Sequence, residues 1–153
     1  MQPVRIPDET ERLATATVNA AFVVHRTLGP GLLESAYQEC LSLELSMAGF
    51  DLVREVTLPL MYRNHIVPNA YRLDLIINKL LIVEIKAIEA ILPIHRVQLT
   101  TYLKLMKLPL GLLINFNVPL IKNGITRVLN LDFRTEPSEP FPARTVASSR
   151  LRA

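Results

Sequence analysis

Three ionisable side chains stand where the chain is otherwise apolar. Asp74 lies in Tyr71-Arg72-Leu73-Asp74-Leu75, and Glu84 and Lys86 end the run Leu80-Leu81-Ile82-Val83-Glu84-Ile85-Lys86. Charges in greasy strands cost free energy unless something, typically a metal ion, balances them, so the pattern suggests a site. The apolar alternation predicts how the three meet. Odd positions Leu73, Leu75 and Ile77 of one strand and Leu81, Val83, Ile85 and Ala87 of the next are apolar, and both odd faces are expected to be buried. A two-residue turn at Asn78-Lys79 would set Leu73 against Glu84 and mix the faces. A three-residue connection, Asn78-Lys79-Leu80, instead pairs Ile77 with Leu81, Leu75 with Val83 and Leu73 with Ile85. Asp74 then faces Glu84 with Cβ atoms roughly 4.5–5.5 Å apart, and the two carboxylates repel unless a cation sits between them. Lys86 projects from the same face. A solvated Asp/Glu/Lys cluster on an open sheet face fits this pattern equally well.

The elements that must position these groups follow in a clear order. Asp8 with Glu11 three residues later is a helix-start signature, and Leu13, Thr17, Ala20, Val24 and Leu28 recur at helical spacing until Gly29-Pro30-Gly31 breaks the run. A second helix is predicted over 32–47, with Leu33, Tyr37, Leu41 and Leu45 at helical spacing and Gly49 as its cap. Strands are predicted over 52–62, 66–78 and 80–87, with Arg63-Asn64-His65 as the first turn. After Pro93 come a helix over 94–106 and strands over 110–117 and 125–133, divided by the turn Lys122-Asn123-Gly124. Asn115 and Asn117 read as the polar ends of a buried strand. The order is α-α-β-β-β-α-β-β, an α/β (α+β) domain over residues 1–133. From Arg134 onward Pro137, Pro140 and Pro142 mix with serines and arginines, and 134–153 is expected to be a disordered tail.

The 153 residues suit a single domain with one core. No apolar run reaches the roughly 18–20 residues of a membrane span, and Met1-Gln2-Pro3-Val4-Arg5 lacks a signal-peptide core, so a cytoplasmic protein without a membrane partner is expected. Cys40, the single cysteine, sits among leucines and reads as a small buried hydrophobe, which excludes disulfide and zinc-cysteine frameworks. The formal charge of +3 is compatible with nucleic acid without being diagnostic of it. Arg63, Arg72, Arg96, Lys104, Lys107, Lys122 and Arg127, with Arg144, Arg150 and Arg152 in the tail, are scattered, and there is no tryptophan for stacking bases. Contacts with nucleic acid are therefore expected to be non-specific, salt-sensitive and directed at the phosphate backbone.

Gly31-Leu32-Leu33-Glu34-Ser35-Ala36-Tyr37 matches the pattern G-x-x-E-x-x-Y. Gly29-Pro30-Gly31, Tyr71-Arg72-Leu73-Asp74, Val83-Glu84-Ile85-Lys86-Ala87, His95 to Leu103 and Gly111 to Asn117 complete an ordered set of blocks. Over residues 10–133 the chain thus resembles the GxxExxY proteins, a branch of the PD-(D/E)XK nuclease superfamily. The resemblance implies a restriction-endonuclease-like core with a central mixed sheet flanked by helices. It puts the family aspartate on Asp74, the Glu-x-Lys on Glu84 and Lys86, and the early-helix acid on Glu34. Leu73 stands where the superfamily's name has proline, and leucine there serves the buried face. The implied activity is hydrolysis of phosphodiester bonds in nucleic acid, DNA before RNA. Mg²⁺ or Mn²⁺ would be held by Asp74, Glu84, Glu34 and the Ile85 backbone carbonyl. Lys86 would orient or help deprotonate the attacking water and offset charge on the phosphate.

Other roles carry alternatives. A glutamate in a first helical turn, such as Glu34, is favoured by the helix dipole by about 0.3–1 kcal/mol without any function. Tyr37, one turn later, is expected on the same face and joins Glu34 in the family signature. Gln98 and Tyr102 share a helix face at i, i+4, with His95 three residues before Gln98. They resemble the Q-x-x-x-Y pattern of exonuclease-like members, which implies substrate contacts by Gln98, Tyr102 and His95. A surface polar patch, or a capping His95 after Pro93, is the bland reading. His25 reads as structural and His65 as a turn residue. The competing functional class is a catalytically silent scaffold that binds protein or nucleic acid, and a homodimer acting on a duplex is implied by analogy alone.

Overall fold

The structure, a computed structural model, describes residues 3–135 and 150–151. The two amphipathic N-terminal segments form α1 (Asp8–Leu28) and α2 (Glu34–Met47). β1 (Leu52–Tyr62), β2 (His65–Ile77) and β3 (Leu81–Lys86) make an antiparallel meander. α3 (Pro93–Met106) then crosses to β4 (Leu110–Asn115), which runs parallel to β3, and β5 (Ile125–Leu129) pairs antiparallel with β4. A short β6 (Arg150–Leu151) lies beside β1, giving the sheet order β5-β4-β3-β2-β1-β6. The expected tail otherwise falls outside the described residues. Among those described, no helix is long and apolar enough to cross a membrane.

Helices cover both faces of the sheet. Leu13, Ala21 and Val24 of α1 and Tyr37, Leu41 and Leu45 of α2 pack with Leu75, Ile77, Val83 and Ile85 on one side. Leu99, Tyr102, Leu103 and Met106 of α3 pack with Ile76, Ile82 and Leu113 on the other. The even face of the β2–β3 hairpin is therefore no open, solvated surface. A parallel β3–β4 pair needs a crossover, and that crossover lays α3 across this face. Cys40 is partly buried against the first cluster, as its leucine neighbours suggested.

Several boundaries moved, each for a local reason. α1 starts at Asp8 behind Pro7 without a side-chain cap. Glu11 does not complete a capping box; it takes Arg127 of β5 in a two-pronged pair at 2.7 and 3.0 Å. α2 starts at Glu34 because Leu33 is extended. Its end is as expected: Gly49 has φ +92°, and the Phe50 N–H reaches back to the Leu45 carbonyl at 3.2 Å. Tyr62 pairs with His65, so the first hairpin turn has two residues, Arg63 and Asn64, both at positive φ, and not three. β5 stops at Leu129 because Asn130 turns the chain, its side chain donating to the Leu108 carbonyl and accepting from the Asp132 N–H.

Tyr37 belongs to this framework. It is fully buried, stacks on Phe116 with centroids 4.6 Å apart, donates to the Gly29 carbonyl at 2.6 Å and accepts from the Leu32 N–H at 3.1 Å. The signature tyrosine therefore ties the Gly29-Pro30-Gly31 turn to α2 and so aims the first turn of that helix. Tyr37→Phe is expected to cost about 1–2 kcal/mol, since it orphans the Leu32 donor and the Gly29 acceptor. Urea denaturation checks this, and an unchanged midpoint would remove Tyr37 from the framework.

Candidate active site

The β2–β3 register is the one the apolar alternation requires. Ile77 pairs with Leu81, Ile76 with Ile82 and Leu75 with Val83, while Asn78 and Lys79 take positive φ and Leu80 is the extra residue. The ladder ends there, and the expected Leu73–Ile85 pair does not form. At the next position the two carboxylates replace main-chain partners. The Asp74 N–H donates to Glu84 Oε1 at 3.1 Å, and the Ile85 N–H donates to Asp74 Oδ2 at 2.8 Å. This exchange splays the strand ends and locks the two acids side by side.

Around them lies a cleft of about 340 Å³ lined by Glu34 and Gln38 from α2, Glu55 from β1, Arg72 and Asp74 from β2, Glu84 and Lys86 from β3 and Gln98 from α3, with Ser35 at the rim. Five of the expected residues, Glu34, Asp74, Glu84, Lys86 and Gln98, thus share one cavity. The electrostatics follow from burial. Glu84 is 4% exposed, and its carboxyl is held well above the usual carboxylate range, first by burial and next by the Asp74 charge, with Lys86 opposing. Glu34 is also raised, mainly by burial. Lys86 and Asp74 act on its charge in opposite directions, and a hydrogen bond from the Ala87 main chain favours its ionised form.

Tyr102 and His95 are placed differently. Tyr102 is 3% exposed and meets Tyr71 edge-on at 6.1 Å, beneath the cleft. Burial and the Glu84 charge raise its hydroxyl pKa, while hydrogen bonds from the Arg72 main chain and the Gln98 side chain oppose them. Its hydroxyl thus meets the Gln98 side chain, which lines the cleft. His95 Nδ1 accepts the Leu92 N–H at 2.9 Å, which is the capping role. His25 is structural, bonded through Nε2 to the Val118 carbonyl at 2.7 Å.

Gln38 and Glu55 escaped sequence reasoning, and Arg72 passed as one scattered cation among many. Gln38 had a signal, its i, i+4 spacing from Glu34. Glu55 had none, because its position depends on an irregularity in β2. The register sum shifts between Leu60↔Val67 and Leu58↔Tyr71, and Asn69 in between has φ +54°. Beyond that bulge Glu55, at φ +51°, falls between the Arg54–Leu75 and Val56–Leu73 pairs, where it ion-pairs with Arg72.

Among the described residues, no group of three or more His, Cys, Asp or Glu side chains is gathered closely enough to hold a metal ion. The pair Asp74 and Glu84 remains a fitting donor set for a hard divalent cation. It is all oxygen, with Glu84 buried and Asp74 half-buried, and charge-repelled in a way that a cation relieves. Glu34 lines the same cavity.

A family model described as the PD-(D/E)XK nuclease superfamily matches residues 11–128. No curated protein and no solved structure matches the chain.

Proposed function

We propose that this chain, which belongs to the PD-(D/E)XK nuclease superfamily, is a metal-dependent nuclease that hydrolyses phosphodiester bonds of nucleic acid, DNA in preference to RNA. The observation that carries this reading is the reciprocal lock of Asp74 and Glu84, each carboxylate holding the other strand's main chain, with Lys86 in the same cleft. Proteins of this superfamily generally use divalent metal ions. Here Asp74 and Glu84, with the Ile85 carbonyl, would hold Mg²⁺ or Mn²⁺, and Glu34 would reach it through water. Such an ion supplies counter-charge and an activated water. The G-x-x-E-x-x-Y block and its ordered companions support placing the chain in the GxxExxY branch.

The protein's own groups have distinct tasks. Lys86 is a compact cation on the last residue of β3, able to hold the attacking water and to meet charge growing on the phosphate. Arg72, 62% exposed and paired with Glu55, sits at the cleft mouth, and an exposed pair of this kind exchanges partners at little cost. It is placed to take a flanking phosphate, with Gln98 opposite on α3.

Incubation of the full chain with single- and double-stranded DNA and RNA tests the proposal. Cleavage is expected with Mg²⁺ or Mn²⁺ and not with EDTA. Lys86→Ala should lower the rate about 10²–10³-fold, as removal of a charge-stabilising donor does elsewhere. Asp74→Asn should abolish the metal-dependent cleavage. Equal cleavage by wild type and both variants, or none in any condition, overturns it.

A further inference from the structure

We infer that Gln38 is a substrate-binding residue whose side-chain amide donates to a non-bridging phosphate oxygen of the nucleic acid, an inference that rests on the nuclease reading above. α2 carries Gln38 one turn beyond Glu34, so both project from one side of the helix into the cleft. Gln38 is only 8% exposed, and its Nε2 is shut off from solvent with no hydrogen-bond partner among the described residues. A buried donor left unpaired works against folding, and a native structure keeps few of them. A rotation of the amide that turns Nε2 to the cleft lets a ligand acceptor there relieve that cost.

The chemistry of that acceptor follows from the neighbours. The two cations of the cleft lie among its acids. Arg72 pairs with Glu55, and Lys86 acts on both Glu34 and Glu84. A third cation would be drawn to the same acids and would compete with a metal for them. An amide escapes this, because it brings two N–H donors and no charge. Phosphate oxygens are acceptors only and match such a donor. Gln38 thereby supplies what the acidic side of the cleft otherwise lacks, a neutral grip on an anionic backbone.

The test uses the full chain, with Gln38→Met as a near-isosteric variant without donors and Gln38→Glu as one that offers only acceptors. Four quantities are measured: anisotropy of a fluorescent single-stranded DNA in Ca²⁺, steady-state cleavage in Mn²⁺, Mn²⁺ binding by titration calorimetry, and melting without metal. For Gln38→Met, Kd and KM should rise about tenfold while kcat stays within about twofold. Its melting temperature should equal or exceed that of wild type, because an orphaned donor has gone. Gln38→Glu should bind DNA more weakly still. If wild type cleaves and Gln38→Met leaves Kd and KM unchanged, or melts lower with no loss of DNA binding, the inference fails alone. If Gln38→Glu tightens Mn²⁺ binding and keeps its DNA affinity, Gln38 serves the metal and the inference is overturned. If no protein cleaves but DNA binding still falls in Gln38→Met, the nuclease reading fails and the phosphate contact stands.

Discussion

Glu84→Gln is expected to reduce cleavage by more than about 100-fold, beyond the loss usual for a group that merely supports a ligand, while making the metal-free protein more stable. Both effects have one cause. Glu84 is buried beside Asp74, and burial first, then the Asp74 charge, hold its carboxyl well above the ordinary range. In the window between the ordinary glutamate value and that raised value, the folded protein keeps a proton that the unfolded chain has released. The unfolded state then binds fewer protons, so the stability of the metal-free protein falls as pH rises through this window. Glu34, also raised, adds to the fall. Glutamine imitates the protonated acid. Its oxygen can accept the Asp74 N–H and its amide can donate to the Asp74 carboxylate, so the variant should show a flatter profile and gain about 1–3 kcal/mol near neutral pH. Metal reverses the wild-type trend, since it competes with the proton for the same oxygens. Thermal unfolding in EDTA between about pH 5 and about pH 8 measures this, and a wild type that grows more stable over that range contradicts it.

Asn115→Ala is expected to cost about 2–4 kcal/mol, as three part-buried hydrogen bonds to the main chain are lost, and to lower kcat from outside the cleft. Asn115 is 2% exposed at the end of β4. Its Oδ1 accepts the N–H groups of Ile88 at 3.1 Å and Asn117 at 3.2 Å, and its Nδ2 donates to the Ile88 carbonyl at 2.9 Å. Lys86 pairs with Asn115 across the parallel ladder, and its carbonyl takes the Phe116 N–H at 2.9 Å. Asn115 therefore clamps the chain just after Lys86, in the stretch where Ala87 hydrogen-bonds Glu34. Asn115→Asp keeps the two acceptor contacts but loses the donor to Ile88, and should fall between alanine and wild type. Denaturation and single-turnover rates separate the two claims. A variant that loses stability but keeps its full rate would leave Asn115 a structural residue only.

The hairpin that carries the acids was legible because alternation along a strand is local. Leu75, Ile77, Leu81 and Val83 admit one register that keeps their faces together, and that register sets Asp74 beside Glu84. The order of helices and strands was legible for the same reason, through helical spacing, Gly49 and the proline and glycine breaks. Whether the acids lay in solvent or in a cleft was not, because α3 comes from later in the chain and nothing in the hairpin records that it folds back over the even face.

The sequence by itself determined which residues could form the centre: Asp74, Glu84 and Lys86 by spacing in apolar strands, Glu34 and Gln98 by resemblance to known blocks. Only the tertiary structure decided what surrounds them. It showed that the ladder opens for an exchange between carboxylates and main chain, that Tyr37 and Tyr102 are buried outside the cleft lining, and that Gln38, Glu55 and Arg72 line it. Periodicity is set by neighbours a few residues apart and survives in the sequence. A cleft is set by where a bulge near Asn69 shifts β1 against β2 and where two helices cross the sheet, and those distances exist only once the whole chain has packed.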